Sequence, residues 1–244
     1  MLLRRIIALI VMALAPMLLD GTALAATPGP VWTSTAQFGQ YTRWGYTWNN
    51  DEWNLQPTSY QKISVTSVNN WGVVSNQPFS APQYPDISWA GGNALSGYPR
   101  LSSSECENGP GNVPGVYYEA AYDIWLNAAA PGQSNGFEIM VWTDIHQHGM
   151  TPGSFAGNVT IAGVRYAAYE GQGGNGPAVW LLRTSSAGCA TTNLYQVVKT
   201  VVNEAANYTG STNPTVSTVQ FGWEIGGTGG VNRSFGVTAY AVTS

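Results

Sequence analysis

The sequence predicts an all-β fold carrying one helix, and three observations predict it. Short segments rich in Val, Ile, Thr, Tyr and Trp recur between Gly, Pro and Asn clusters. The clearest of them alternate with a period of two: in Gly136–Trp142, Phe137, Ile139 and Val141 share one apolar face, and Glu138, Met140 and Trp142 share the other. One segment alone breaks that period. In Thr192–Glu204 the residues Leu194, Val197, Val198, Val201 and Val202 form a single helical stripe, with Thr191 or Thr192 as the N-cap. So many valines disfavour an isolated helix, so this one should lean on a sheet.

The strands run in order as Gln37–Trp48, Lys62–Val68, Val116–Leu126, Gly136–Thr143 and Asn158–Tyr169. Ala178–Thr184, Thr215–Ile225 and Ser234–Val242 complete the series. Ala162-Gly163 between two β-rich runs is a hairpin turn. The N-terminus has a different character. Arg4 and Arg5 precede an apolar run to Leu19 that is short for a membrane span, and Ala23-Leu24-Ala25 is a small-x-small cleavage pattern. Residues 1–25 are therefore expected to be a secretion signal, leaving 26–244 as a single extracellular domain with no membrane attachment after cleavage.

Charged residues make up only 9% of the chain, with 9 Lys and Arg against 13 Asp and Glu. Such a balance excludes nucleic acid as the expected partner, because phosphates need basic patches. The 10 Trp and 13 Tyr suit an uncharged, hydroxyl-rich partner such as a polysaccharide, whose ring faces pack on aromatics. An even pair of cysteines in an exported chain reads as a disulfide between Cys106 and Cys189.

Glu138, which shares its strand face with Met140 and Trp142, has two counterparts. In Gln220–Ile225, Phe221, Trp223 and Ile225 face one way, and Gln220 and Glu224 the other. In Ala121–Leu126, Asp123 and Trp125 stand opposite Tyr122, Ile124 and Leu126. Three strands thus each set a carboxylate against an apolar face, and in one curved sheet the acids converge. Glycoside hydrolysis requires such convergence: one carboxylic acid protonates the departing oxygen while another carboxylate attacks or steadies the sugar carbon.

These motifs resemble glycoside hydrolase family 12 in family order through nearly the whole mature chain. Trp48–Asn54 is similar to the family's Asn-Asn-x-Trp segment, Tyr84-Pro85-Asp86-Ile87 to its Tyr-Pro-x-Ile, and Ala121–Trp125 to its Ala-Tyr-Asp-Ile strand. Glu138–Trp142 resembles its nucleophile strand, Pro152-Gly153-Ser154 a shortened Pro-Ile-Gly-Ser loop, and Gln220–Glu224 its acid/base strand. The resemblance implies a β-jelly roll of two stacked, curved antiparallel sheets with one helix on the convex side and a cleft on the concave side. It implies retaining endo-hydrolysis of β-1,4-glucan without a cofactor by a monomer, with Glu138 as nucleophile, Glu224 as acid/base and Asp123 orienting Glu138. Trp53 is the sugar-stacking residue it implies, with Asn50, Met140 and Trp142 also at the substrate; an extra residue leaves open whether Asn49 or Asn50 matches the family's Asn.

Departures bear on the substrate. The segment Asp144–Met150 matches no family pattern and holds both histidines, His146 and His148. It is read as an exposed or substrate-contacting loop, because the proposed chemistry needs no metal. Glu105, Glu107, Glu119, Glu170 and Glu204 match no motif and are expected to be solvated. Alternatives are a xyloglucan-specific enzyme, a xylanase on a similar jelly roll, and a carbohydrate-binding sandwich without catalysis, which would leave the opposed glutamates unexplained.

Overall fold

A computed structural model describes residues 29–53, 55–79, 82–127, 136–146, 152–173, 176–204 and 210–244. The expected signal segment and His148 lie outside these residues. Two sheets stack face to face. The smaller has six strands: β1 (Trp32–Ser34), β4 (Tyr60–Ser67), β5 (Asn70–Asn76), β15 (Arg233–Thr243), β7 (Ser102–Asn108) and β13 (Cys189–Thr192), adjacent in that order. The larger has nine. From one edge these are β10 (Ser154–Ile161), β11 (Val164–Gly173), β12 (Gly176–Arg183), β9 (Phe137–His146) and β8 (Val116–Leu126). Beyond β8 come β14 (Val216–Thr228), β6 (Asp86–Ala90), β3 (Tyr46–Asn49) and β2 (Gln40–Arg43). Neighbours pair antiparallel except β12 and β9, which run parallel.

Alternation along the strands builds the layer between the sheets. Tyr122, Ile124 and Leu126 of β8 meet Phe137, Ile139 and Val141 of β9 and Phe221, Trp223 and Ile225 of β14 in one core. The smaller sheet supplies Ile63, Val65, Trp71, Val73, Phe235 and Tyr240. Aromatic rings meet at its centre: Trp71 and Trp223 lie 5.1 Å apart, and Tyr122 and Phe221 4.9 Å apart. Each such pair contributes about 0.5–1.5 kcal/mol beyond the area it buries.

The helix α1 (Leu194–Glu204) buries the five residues of the expected stripe. Its cap differs from expectation. Asn193 Oδ1 accepts a hydrogen bond from Gln196 N at 3.0 Å, so Asn193 caps the helix while Thr192 closes β13. The Ala162-Gly163 turn joins β10 to β11 as expected, with both residues at positive φ (49° and 83°). The run expected as one strand from Gln37 is instead two, β2 and β3, folded back at Trp44-Gly45, where φ is 54° and 80°. Strands β1, β5, β7 and β13 have no counterpart among the expected strands, and β6 has one only as a motif.

Cys106 and Cys189 are opposed in the β7–β13 ladder and form the expected disulfide. Among the described residues, no helix is long and apolar enough to cross a membrane.

Candidate active site

The outer, concave face of the nine-stranded sheet carries what the core does not. Because Asp123 sits between Tyr122 and Ile124, it is turned to this face; Glu138 and Glu224 are turned to it in the same way on either side of β8. Trp125 is the register partner of Glu138, and Glu119 is the register partner of Glu224. Asp123 lies between those levels, opposite both Met140 and Gln220. The three sequence-predicted acids therefore gather on one face, with Glu138 and Glu224 partly open and Asp123 only 6% exposed.

Burial governs their charge. It pushes the Glu138 carboxyl up to about 8, and the negative charge of Glu224 adds to the rise. Glu224 is raised by burial as well, against a hydrogen bond with Glu119 that holds it down. Asp123 is driven well above the carboxylate range by burial, then by the charges of Glu138, Glu224 and Asp86. The cluster thus retains protons near neutral pH, and a neutral Asp123 stands beside Glu138 without adding a second charge.

A polar floor extends from the acids toward β2. Trp125 Nε1 donates to Gln220 Oε1 at 2.7 Å; Asn49 Nδ2 donates to Asp86 Oδ1 and Ser88 Oγ, both at 2.9 Å; and Gln40 Nε2 donates to Asn49 Oδ1 at 2.9 Å. Beyond it, Trp53 is 54% exposed and meets Phe38 edge-on at 5.8 Å. On the other side Met140 and Trp142 pack with Tyr84, Ala121, Ala178 and Trp180.

This arrangement alters several expectations. Met140 and Trp142 are on the expected face but 5% and 2% exposed, so they support the floor and present little surface to a sugar. Asn50 is fully enclosed, donating to the Ala36 carbonyl and to Glu52 Oε1, and it does not reach the cleft. Of the two asparagines, Asn49 is the one on the floor.

Glu105, Glu107 and Glu119, expected to be solvated, are buried, whereas Glu170 and Glu204 are exposed. A bulge in β9 explains part of the difference. Ala120 pairs with Asp144 and Ala121 with Trp142, so Thr143 is the extra residue. The bulge reverses the facing of the rest of the strand. Asp144 and His146 turn into the space between the sheets, where Nε2 of His146 meets Asp144 Oδ2 at 2.7 Å and its ring stacks on Tyr118 at 4.5 Å. Glu105 and Glu107 approach from β7, and Glu107 accepts from Trp223 Nε1 at 3.3 Å. Asp144 and His146 are therefore not in a substrate loop. Among the described residues no group of three or more His, Cys, Asp or Glu side chains is arranged to hold a metal.

Two residues of the site carried no sequence signal. A Cβ on Gly173 would lie 3.0 Å from Glu138 Oε2, so glycine leaves the room that this carboxylate occupies. Glu119 adjoins Glu224 from the neighbouring strand. Only the register could have revealed it, since its strand position matches that of Asp123.

A jelly roll whose concave sheet gathers carboxylates beside an aromatic edge defines a β-sandwich glycosidase. No protein-family model and no curated protein matches the sequence. Solved structures do. The xyloglucanase domain of NopAA, a type three effector from Sinorhizobium fredii, is 30% identical, with 88% of this chain and 99% of that chain covered and a TM-score of 0.75. A family 12 xyloglucanase from Bacillus licheniformis is 21% identical over 87% of this chain and 99% of its own (TM-score 0.70). Endoglucanase 3 of Trichoderma harzianum, from the same family, is 18% identical over 87% and 96% (TM-score 0.74). The chain belongs to glycoside hydrolase family 12.

Proposed function

We propose that the protein is a secreted, retaining endo-β-1,4-glucanase that cleaves internal bonds of cellulose-type or mixed-linkage glucan. The observation that carries this reading is the convergence of Glu138, Asp123 and Glu224 on one face, beside a polar floor and the exposed Trp53. Trp53 stacks a sugar ring and the floor bonds its hydroxyls, which seats the scissile bond over the acids. Burial and the charge of Glu224 favour the proton on Glu138 in the free protein. The reactive form is therefore the one in which that proton has passed to Glu224 and Glu138 is ionised. Glu224 then donates its proton to the departing oxygen while the Glu138 carboxylate attacks the anomeric carbon. Water then displaces Glu138, giving its proton to Glu224, and the starting configuration returns. Asp123, neutral at this point, stabilises the Glu138 charge by hydrogen bonding. The chemistry needs no cofactor.

A second reading, a xyloglucan-specific enzyme on the same site, is favoured by the 30% identity to a xyloglucanase domain. Reducing-sugar release from barley β-glucan, carboxymethyl cellulose, xyloglucan and xylan separates these readings; release from none would leave a binding module. The roles are tested by rescue. Glu138→Ala should lose nearly all activity, with azide restoring turnover of activated substrates to give an inverted glycosyl azide. Glu224→Ala should lose about 10²–10⁴-fold on glucan, keep activity on aryl glycosides with good leaving groups, and give retained azide product. Exchanged stereochemistry would reverse the assignments.

A further inference from the structure

Glu119 and Glu224 are register partners on adjacent strands β8 and β14. Side chains so opposed stand about 4.5–5.5 Å apart at Cβ, within reach of each other. Both are turned to the concave face: Glu119 falls between Tyr118 and Ala120, which belong to the core, and its other register partner, Ile145, packs in the concave cluster. Glu119 is 4% exposed, whereas Glu224 beside it is partly exposed on the concave face. One carboxyl of the pair can meet substrate and the other is enclosed behind it. Two carboxylates so placed cannot both be charged at modest cost, and the enclosed one is the one that burial keeps protonated.

We propose that Glu119 is a positioning residue for Glu224, an enclosed carboxyl that donates a hydrogen bond to the Glu224 carboxylate, fixing its rotamer and stabilising its ionised form. This rests on the reading of Glu224 as acid/base. When Glu224 has given its proton to the leaving oxygen, the new carboxylate faces the O–H of Glu119. When water later attacks, its proton goes to Glu224, and Glu119 keeps its own throughout. Burial, then the charge of Glu224, hold Glu119 well above the carboxylate range, and the same hydrogen bond lowers Glu224. The other titratable groups that act on the pair are Asp123, Glu138 and Tyr84, and substitution at Glu119 leaves all three in place.

The test compares Glu119→Gln, whose amide still donates, with Glu119→Met, which has similar bulk and no donor. In Glu119→Met the basic limb of the kcat/KM–pH profile on β-glucan should move up by about one pH unit, because the Glu224 anion has lost a stabilising bond. Its kcat should fall several-fold with KM little changed. Glu119→Gln should keep the wild-type limb. A Glu119→Met limb that overlies wild type overturns the proposal, as does a Glu119→Gln limb displaced as far as that of Glu119→Met. If Glu119→Met does not fold, carboxyl ¹³C titration of the wild-type protein, assigned with Glu119→Gln, decides. The Glu119 carboxyl should stay protonated through pH 7, and ionisation below pH 5 would end the idea. Full glucan activity in Glu224→Ala would instead remove the acid/base reading, while the ¹³C titration would still report on the Glu119–Glu224 bond.

Discussion

At the scale of single residues, space and exposure separate groups that share a face. Trp53 lies on the turn after β3 with more than half its surface open and Phe38 edge-on against it. Trp53→Ala should weaken kcat/KM on oligosaccharides by about 1–3 kcal/mol, on the scale of flat rings stacked on aromatics, and leave the melting temperature nearly unchanged. A large loss of stability with normal substrate binding would make it a packing residue. Gly173 works by what it lacks. With Glu138 Oε2 at 3.0 Å and the Ala178 Cβ at 3.2 Å from an added methyl, Gly173→Ala must displace the flexible carboxylate before the sheet. The expected outcome is a kcat lowered by about tenfold or more, since small misplacements of a reacting group are costly, with a melting temperature close to wild type. Unchanged kcat would show that Glu138 has slack.

At the scale of elements, the sequence is most legible where a strand obeys its period from end to end. Val116–Leu126 is β8 with the expected bounds, and the facing of Asp123, Glu138 and Glu224 follows from parity alone. Legibility fails at irregularities. The bulge at Thr143 carries no sequence signature, yet it sends Asp144 and His146 to the opposite face from Glu138. The Trp44-Gly45 turn hides inside a β-rich run, because Trp at φ 54° is not a residue that announces a turn. Strand β7 reads Ser-Ser-Ser-Glu-Cys-Glu-Asn, with its acids inward, the inverse of the rule that places Glu outside. The disulfide staples that strand to β13 on the face away from the core, closing a separation of 83 residues. In the chain-entropy account such a loop contributes about 4–5 kcal/mol. Reductant should therefore lower the melting temperature markedly and leave glucan hydrolysis at 25 °C intact, since the cross-link belongs to the sheet opposite the cleft. Lost activity in a protein that still melts cooperatively would contradict that separation.

At the scale of the whole molecule, what no single strand discloses is how many carboxyls the two sheets enclose. Parity assigns a face, but enclosure depends on which strand of which sheet comes to lie opposite, and that pairing is non-local. Burial pushes Glu105 up to about 9, helped by the charge of Glu107, and Glu107 up to about 8, helped by its hydrogen bond to Asp144. Burial raises Glu52 to about 7 and Asp51 to about 6. Asp144 runs the other way: burial would raise it, but hydrogen bonds from His146, Glu107 and Ser186 leave it lowered. Linkage fixes the sign for the raised groups. Between the ordinary carboxylate value and about 8–9, the unfolded chain has released protons that the folded chain retains, so stability falls as pH rises. Asp144 contributes the reverse slope only at the acid end, below the ordinary Asp value. The melting temperature should therefore decline steadily from about pH 5 to pH 8 and level off above about pH 9. Glu105→Gln, which cannot ionise in either state, should flatten that slope and raise the melting temperature at pH 8 relative to wild type. A wild-type melting temperature that is constant or rising from pH 5 to pH 8 would mean that the enclosed glutamates are ionised in the folded protein, and that Arg183 and Thr143 stabilise the Glu105 charge more than burial opposes it.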